Sequence, residues 1–393
     1  MIAKEITPND ICAKGTAGQM MKQRHRNISL NYYNSVFVLA FLYILSKIEL
    51  FYSNSTLLGI IDVLQWPFLL YIASSLIESK IKRKYIKTII ATVAVVIVFF
   101  ISYRNSGLAN IFKFAVIIIA AKKLKNYEIF RSVRNLYSVT VIFTFVLALL
   151  HIIPSNVVRR GFFTYGFVHS NVLAMFVFAI VCCDLLVTKG KVSLKRYLLY
   201  IVILVVTFFL TDCRSVAIGL LIILMMILVF RVSKEFFIKS KVLHVLICSI
   251  PIVLTIISLY VAYNFSYDNP LMVMLDTLSS TRIYLAHRLT VNYSLTLFGQ
   301  DCGSSLMENA YLTVFFAWGI IPGIITVLFY CYAIHIAIMR KHYNVASCLI
   351  GFAVQGLFEG STLELFLNLA MLTPFIRISD QLREIRDFTI KKN

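Results

Sequence analysis

Long apolar runs separated by short polar breaks dominate this chain from residue 34 to residue 376. A helix needs roughly 20 residues, at about 1.5 Å each, to cross a hydrocarbon core. Runs near that length recur and predict twelve spans, centred near Leu42, Pro67, Val95, Phe114, Thr144, Phe176, Leu204, Ile223, Thr255, Ile325, Phe352 and Leu369. The fourth run (Gly107 to Ala121, interrupted by Lys113) and the twelfth (Leu363 to Ile376) are the shortest. The pattern divides the chain into a tail (1–33), spans 1–9 (34–263), one long polar loop (264–309), spans 10–12 (310–376) and a second tail (377–393).

Composition agrees with the pattern. At 60% hydrophobic residues, 14% charged and a mean hydropathy of +0.84, the chain is an all-α polytopic integral membrane protein rather than a globular one. The formal charge of +20 does not indicate nucleic acid, because Lys and Arg fall in short clusters between apolar runs. Thirty of them lie in one set of alternate breaks and six in the other. This positive-inside bias places both termini in the cytoplasm and the 264–309 loop outside. The N-terminal tail lacks the short apolar core and small-residue cleavage site of a signal peptide.

The six outward cations are Arg104, Arg159, Arg160, Arg214, Arg282 and Arg288, with no Lys among them. Arginine suits forked binding of phosphate, so the bias points to a phosphate-bearing ligand; contact with lipid headgroups is the plainer alternative. Arg159 and Arg160 precede Gly161-Phe-Phe-Thr-Tyr165-Gly166-Phe-Val-His169-Ser170-Asn171, which opens a span. That cluster reads as a polar pocket at the membrane edge, or as an aromatic belt with Ser170 or Asn171 as a helix cap. Thr211-Asp-Cys-Arg214-Ser215 is a tight turn in which Arg214 pairs either with Asp212 or with an anionic ligand. In the long loop, Asn269-Pro270 starts a helix with an apolar stripe at Leu271, Met274, Leu275 and Leu278, and Ser279 to Thr281 can cap a second one holding Arg282, His287 and Arg288. Arg288 and His287 read as a solvated face. Glu308-Asn309-Ala310-Tyr311-Leu312 opens the next span, with Glu308 either a helix-terminal carboxylate or a general base. That span holds Gly319-x-x-x-Gly323 for close helix approach and Pro322 as a kink. The cysteines lie mostly inside apolar runs without metal-type spacing, while Cys213 and Cys302 both face outward and can pair.

Taken in order, Gly166-Phe-Val-His169-Ser-Asn171-Val-Leu-Ala174, Thr211-x-x-Arg214-Ser215, Arg282 followed by Leu297-Phe298-Gly299, and Asn309-x-Tyr311-Leu312 with Gly319 resemble the family of Wzy-type polysaccharide polymerases and O-antigen ligases. The resemblance covers Gly161 to about Gly323. It implies the GT-C-type polymerase and ligase fold, and a bacterial cytoplasmic-membrane enzyme that transfers saccharide from a polyprenyl-pyrophosphate carrier on the outer leaflet without metal or other cofactor. Chain-length regulators and flippases are the protein partners it suggests. Arg214 and Arg282 match family arginines thought to hold the pyrophosphate. Where the ligases have His, this chain has Glu308, which favours a polymerase over a ligase. The outward acidic residues include no close Asp-x-Asp pair for a divalent ion. The expected site is therefore Glu308, Arg214 and Arg282 at the chemistry, with Arg159, Arg160, His169, Asn171, Asn309 and Tyr311 binding substrate. Tyr165, Tyr284 and Tyr311 are candidate sugar-stacking surfaces. The rival reading is a lipid-linked oligosaccharide transporter, with Lys47, Glu49, Asp62, Lys113 and Asp184 lining a path.

Overall fold

The computed structural model describes residues 32–77, 86–121, 124, 128–157, 161–188, 192–232, 240–303 and 308–376. These residues form a helical bundle. Its elements are α1 (Tyr32–Leu45), α2 (Glu49–Tyr52), α3 (Ser55–Ile77), α4 (Ile86–Ser106), α5 (Ala109–Ala120), α6 (Glu128–Leu149), α7 (Ser170–Val187), α8 (Leu194–Thr211) and α9 (Arg214–Val232). There follow α10 (Lys241–Cys248), α11 (Ile250–Asn264), α12 (Pro270–Leu278), α13 (Arg282–Asn292), α14 (Ala310–Thr313), α15 (Ile320–Met339) and α16 (Tyr343–Gln355).

Among the described residues, six helices (α3, α6, α7, α8, α9 and α15) are long and apolar enough to cross a membrane, or up to seven if α10 and α11, bent by 48°, are counted together as one span. The expected twelve are not confirmed: α1, α5, α16 and the Ile90–Ser106 part of α4 are apolar but short. The outer surface of the bundle is itself apolar. Val139, Ile142 and Phe143 on α6 and Phe209 on α8 are each more than 60% exposed. Such side chains in water would lose the hydrophobic stabilisation that drives folding, so their solvent is hydrocarbon and the chain is a multi-pass membrane protein.

Inside, α7 is the central helix, with Phe176 and Phe178 fully buried. Helices α9 and α16 pack closely because Gly351 leaves room for Ile223; a Cβ there would lie 2.3 Å from the Ile223 side chain. Small residues at such contacts let helices approach where lipid supplies no hydrophobic drive.

The largest departure from expectation is the stretch near Leu369. It holds only two 3₁₀ turns, Gly360–Leu363 and Leu369–Leu372, in place of a twelfth helix. The segment starts at Glu359, beside residues at one end of α7 and α9, and reaches Thr373, whose carbonyl accepts from Arg340 Nη1 at the far end of α15 (3.2 Å). It therefore runs the length of the bundle in fewer residues than the 20 of α15, since loosely wound backbone rises further per residue than an α-helix. Non-helical backbone is tolerated at membrane depth only where protein surrounds it. Here Leu365 to Leu372 are all buried, Tyr137 donates to the Phe366 carbonyl (2.9 Å), and Asn368 donates to the Tyr330 hydroxyl (3.0 Å).

Candidate functional site

Three local structures bring polar residues to one end of the bundle. Before α7, the chain turns through positive φ at Tyr165 and Gly166. The Gly166 carbonyl accepts from Glu49 N (2.9 Å), and Val168 N donates to the Lys47 carbonyl (3.2 Å). This fixes the start of α7, where the cap is His169 rather than Ser170 or Asn171: its Nδ1 accepts from Asn171 N at 3.1 Å. Between α8 and α9, Asp212 takes the left-handed conformation and its carboxylate lies 3.7 Å from Arg214 Nε. In the long loop, Asn269 caps α12, and Asp276 accepts from Tyr284 N (2.8 Å), doing for α13 what no side chain at Thr281 does. Arg282 is thereby set as the first residue of α13.

Arg282 joins these pieces. Its Nε donates to Glu308, and its Nη2 donates to Glu359 Oε1 at 3.2 Å. The same Glu359 oxygen accepts from Ser215 Oγ (2.8 Å) and Asn171 Nδ2 (3.3 Å). Glu359 is buried, whereas the Glu308 side chain is 54% exposed. Around them lies a cleft of two lobes that share His169, Asn171 and Glu308. One, of about 300 Å³, is walled by Arg214, Arg282, Thr211 and Ser280. The other, of about 200 Å³, is walled by Lys47, Glu359, Glu364 and Tyr43. Lys47 Nζ lies 3.4 Å from Glu364 and 5.3 Å from the centre of the Tyr43 ring.

Five of the expected site residues therefore meet: Arg214, Arg282, Glu308, His169 and Asn171. Asn309 and Tyr311 do not line either lobe. Asn309 caps α14 through Leu312 N and donates to Ser258 Oγ and the Leu357 carbonyl (both 3.1 Å), while the Tyr311 hydroxyl donates to the Ala353 carbonyl (2.7 Å). Their role is to fix the start of α14, next to Glu308. Arg159 and Arg160 lie outside the described residues. Tyr165 and Tyr284 pack on Phe145 and Phe265, away from both lobes. Cys213 and Cys302 are free thiols and do not pair. Arg288 is exposed, as a solvated face requires, whereas His287 is half-buried, bonded to the Ala262 carbonyl (2.9 Å) and packed on Phe265. The ionisable residues suggested for a transport path are held by local partners: Lys113 by Gln65, Asp184 by Arg134 and Tyr200, Lys47 by Glu364.

Glu359 is the member of this cluster that the sequence pattern does not single out. The available signal was a lone carboxylate at the end of the long apolar run from Tyr343 to Phe358, where a charge is costly unless used. Burial pushes its carboxyl above the ordinary value of 4.5, opposed by Arg282 and the Ser215 hydroxyl. The folded state thus keeps the Glu359 proton to higher pH than the unfolded chain does. That contribution to stability is complete below about pH 4.5 and is lost as pH rises through the raised value. Glu359→Gln has no such loss, so its Tm relative to wild type is expected to climb as pH is raised through that interval. Thermal melts of both proteins across pH test this, and a constant difference refutes it. Burial also holds the His169 pKa below its usual value. The neutral ring, accepting at Nδ1, carries its proton on Nε2 and offers the cleft a donor.

Comparison with family models, with curated proteins and with solved structures finds no significant match. What fold and site define is an all-helical, multi-pass membrane protein with a charged cleft at one end of the bundle. Any narrower identity rests on the chemistry of that cleft.

Proposed function

We propose that this chain polymerises polyprenyl-pyrophosphate-linked oligosaccharide repeat units on the outer face of a bacterial cytoplasmic membrane, as a glycosyltransferase of the Wzy type. The observation that carries the reading is Arg282, placed with Arg214 on one cleft wall and in contact with the carboxylate of Glu308. Transfer from a lipid pyrophosphate needs negative charge stabilised on the leaving group and a proton taken from the attacking hydroxyl. The larger lobe offers two guanidinium groups for the first task and Glu308 for the second.

In this mechanism the donor pyrophosphate takes the place of Glu308 on the Arg282 guanidinium, and the freed carboxylate turns to the acceptor hydroxyl. The hydroxyl oxygen attacks the anomeric carbon, forming the new glycosidic bond. The bond to the pyrophosphate oxygen breaks, its electron pair leaves with the lipid pyrophosphate, and the hydroxyl proton passes to Glu308. Glu359 stays on Nη2 and keeps the guanidinium aimed. His169 has its acceptor nitrogen committed to Asn171, which leaves Glu308 as the base.

Purified protein in lipid nanodiscs, given lipid-linked repeat units, is expected to yield a ladder of longer chains. Glu308→Gln should lower the rate by about 10²–10⁴-fold while leaving donor binding intact. Donor units that stay at their original length with the wild-type protein would refute polymerisation, and full activity of Glu308→Gln would remove that residue from the chemistry.

A further inference from the structure

At the end of the bundle opposite the cleft, α10 meets α15. His244 and Cys248 stand four residues apart on α10, so they share one face of that helix. His335 faces them from α15. His244 Nε2 lies 2.8 Å from His335 Nδ1, with the rings edge to face at 89° and their centres 5.0 Å apart. The Cys248 sulfur completes a group whose three ligand atoms all lie within 4.8 Å of one another, and all three residues are half-buried.

We propose that His244, Cys248 and His335 bind one divalent transition-metal ion, for which Zn²⁺ is the fitting occupant. Two imidazoles and a thiolate suit zinc, whereas magnesium and calcium take oxygen ligands. With Zn–N near 2.0–2.1 Å and Zn–S near 2.3 Å in a tetrahedron, ligand atoms stand roughly 3.3–3.7 Å apart. The observed separations, from 2.8 Å up to at most 4.8 Å, bracket that range, so side-chain rotation suffices to close the site.

The sequence adds a second feature. Cys331 precedes His335 by four residues on α15 and lies within electrostatic reach of Cys248. His244-x-x-x-Cys248 on one helix thus faces Cys331-x-x-x-His335 on the other, each supplying an imidazole and a thiol. A histidine pair that merely shares a hydrogen bond needs neither thiol nor this mirrored spacing. Cys331 lies outside the three residues whose ligand atoms already stand within 4.8 Å of one another; rotation of its thiol toward Cys248 would supply the fourth ligand and make the site closed and structural. Its place in the fold gives the role: α10 joins α11 across the 48° bend immediately after Cys248, and the ion fastens the short arm of that broken span to α15. Read along the chain, none of this shows metal-type spacing, because the two pairs lie in different spans.

The test uses the full chain, purified in detergent with a tag lacking histidine, stripped with a chelator and titrated with Co²⁺ as the probe. One Co²⁺ per chain is expected, with a thiolate-to-cobalt charge-transfer band, intense tetrahedral visible bands, and displacement of both by Zn²⁺. Zn²⁺ should also raise the wild-type Tm, reversibly on adding chelator, by mass action on the folded state. His244→Ala should weaken binding by more than about tenfold. Cys248→Ser should diminish the charge-transfer band, and the Cys248→Ser, Cys331→Ser double variant should abolish it. No band and no Tm rise in wild-type protein, or a band unchanged in His244→Ala and Cys248→Ser, overturns the site. A band unchanged in Cys331→Ser alone overturns the assignment of the fourth ligand. The wild-type measurements decide the matter even where a variant fails to fold.

Discussion

Arg282→Ala is expected to abolish chain extension and to lower stability together. The guanidinium is the partner of a buried carboxylate, and removing one member of a buried pair typically costs about 3–5 kcal/mol because the other is left uncompensated. Glu359 would retain Ser215 and Asn171 as donors but lose its only cationic contact among the described residues. Alanine alone would therefore confuse a folding defect with a catalytic one. Arg282→Lys separates them. An ammonium keeps the charge beside Glu359 but cannot reproduce the fork that reaches Glu308 through Nε and Glu359 through Nη2, or present two parallel donors to a phosphate. It is expected to restore much of the Tm while leaving turnover about 10²–10³-fold below wild type, the usual cost of losing a donor aimed at developing negative charge. Arg214→Ala gives the contrast. That side chain is 51% exposed and its pair with Asp212 is long, so its removal should leave the Tm within about 1 kcal/mol equivalent and act on donor binding alone. Wild-type turnover in Arg282→Lys at matched expression would remove Arg282 from the chemistry.

The cleft was legible in the sequence to the extent that its residues announce themselves locally. His169 and Asn171 open an apolar run, Arg214 sits in a turn too short to hide it, and Arg282 follows a cap-rich break. Asn269-Pro270 marks the start of α12, and the exposed Leu271, Met274 and Leu278 bear out its apolar stripe. Pairings between distant segments were not legible. Glu359 meets Arg282 only because α16 ends beside α13, and hydropathy has no term for which helix ends converge. The stretch from Leu363 to Ile376 failed for a different reason. Burial in lipid and burial in protein select the same apolar side chains, so a non-helical thread wrapped by α6, α7 and α15 reads like a span. Its internal polar residues, Asn368 and Thr373, were the available clue: Asn368 donates to the Tyr330 hydroxyl (3.0 Å) and the Thr362 carbonyl (3.4 Å), and Thr373 to the Ala370 carbonyl (2.7 Å). Pro322 misled in the opposite direction. It lies in the first turn of α15, where no intrahelical donor is required of it, so it starts the helix without kinking it.

Gly319→Ala is expected to be among the most damaging substitutions of a single methyl group in this protein. The residue joins the π-helical turn Val314–Trp318 to α15 at φ 101° and ψ 167°, a conformation essentially confined to glycine. Conformation is the smaller part of the cost. A Cβ on Gly319 would stand 2.2 Å from the backbone nitrogen of Gly299, and a Cβ on Gly299 would stand 2.2 Å from the Ala317 carbonyl oxygen. The two glycines thus let two backbones touch, and the contact is hydrogen bonded: Ile320 N donates to Thr296 O (2.9 Å) and Ile321 N to Leu297 O (3.1 Å). These are donors at the start of α15 that no residue of the helix can satisfy. Neither neighbour is a side chain that can swing aside, so the methyl group must separate the loop from the helix and strand those donors. A loss above about 4 kcal/mol follows, beyond the range of ordinary point substitutions. The same loop leads toward Glu308, so any protein that folds should also lose the Arg282 contact and activity. Gly59→Ala is the control: it lies inside α3 with nothing within 4 Å of its Cβ, and alanine there should gain about 0.5–1 kcal/mol. Thermal melting followed by size-exclusion chromatography in detergent compares the two. A monodisperse Gly319→Ala protein with the wild-type Tm would show that the backbones can part at little cost.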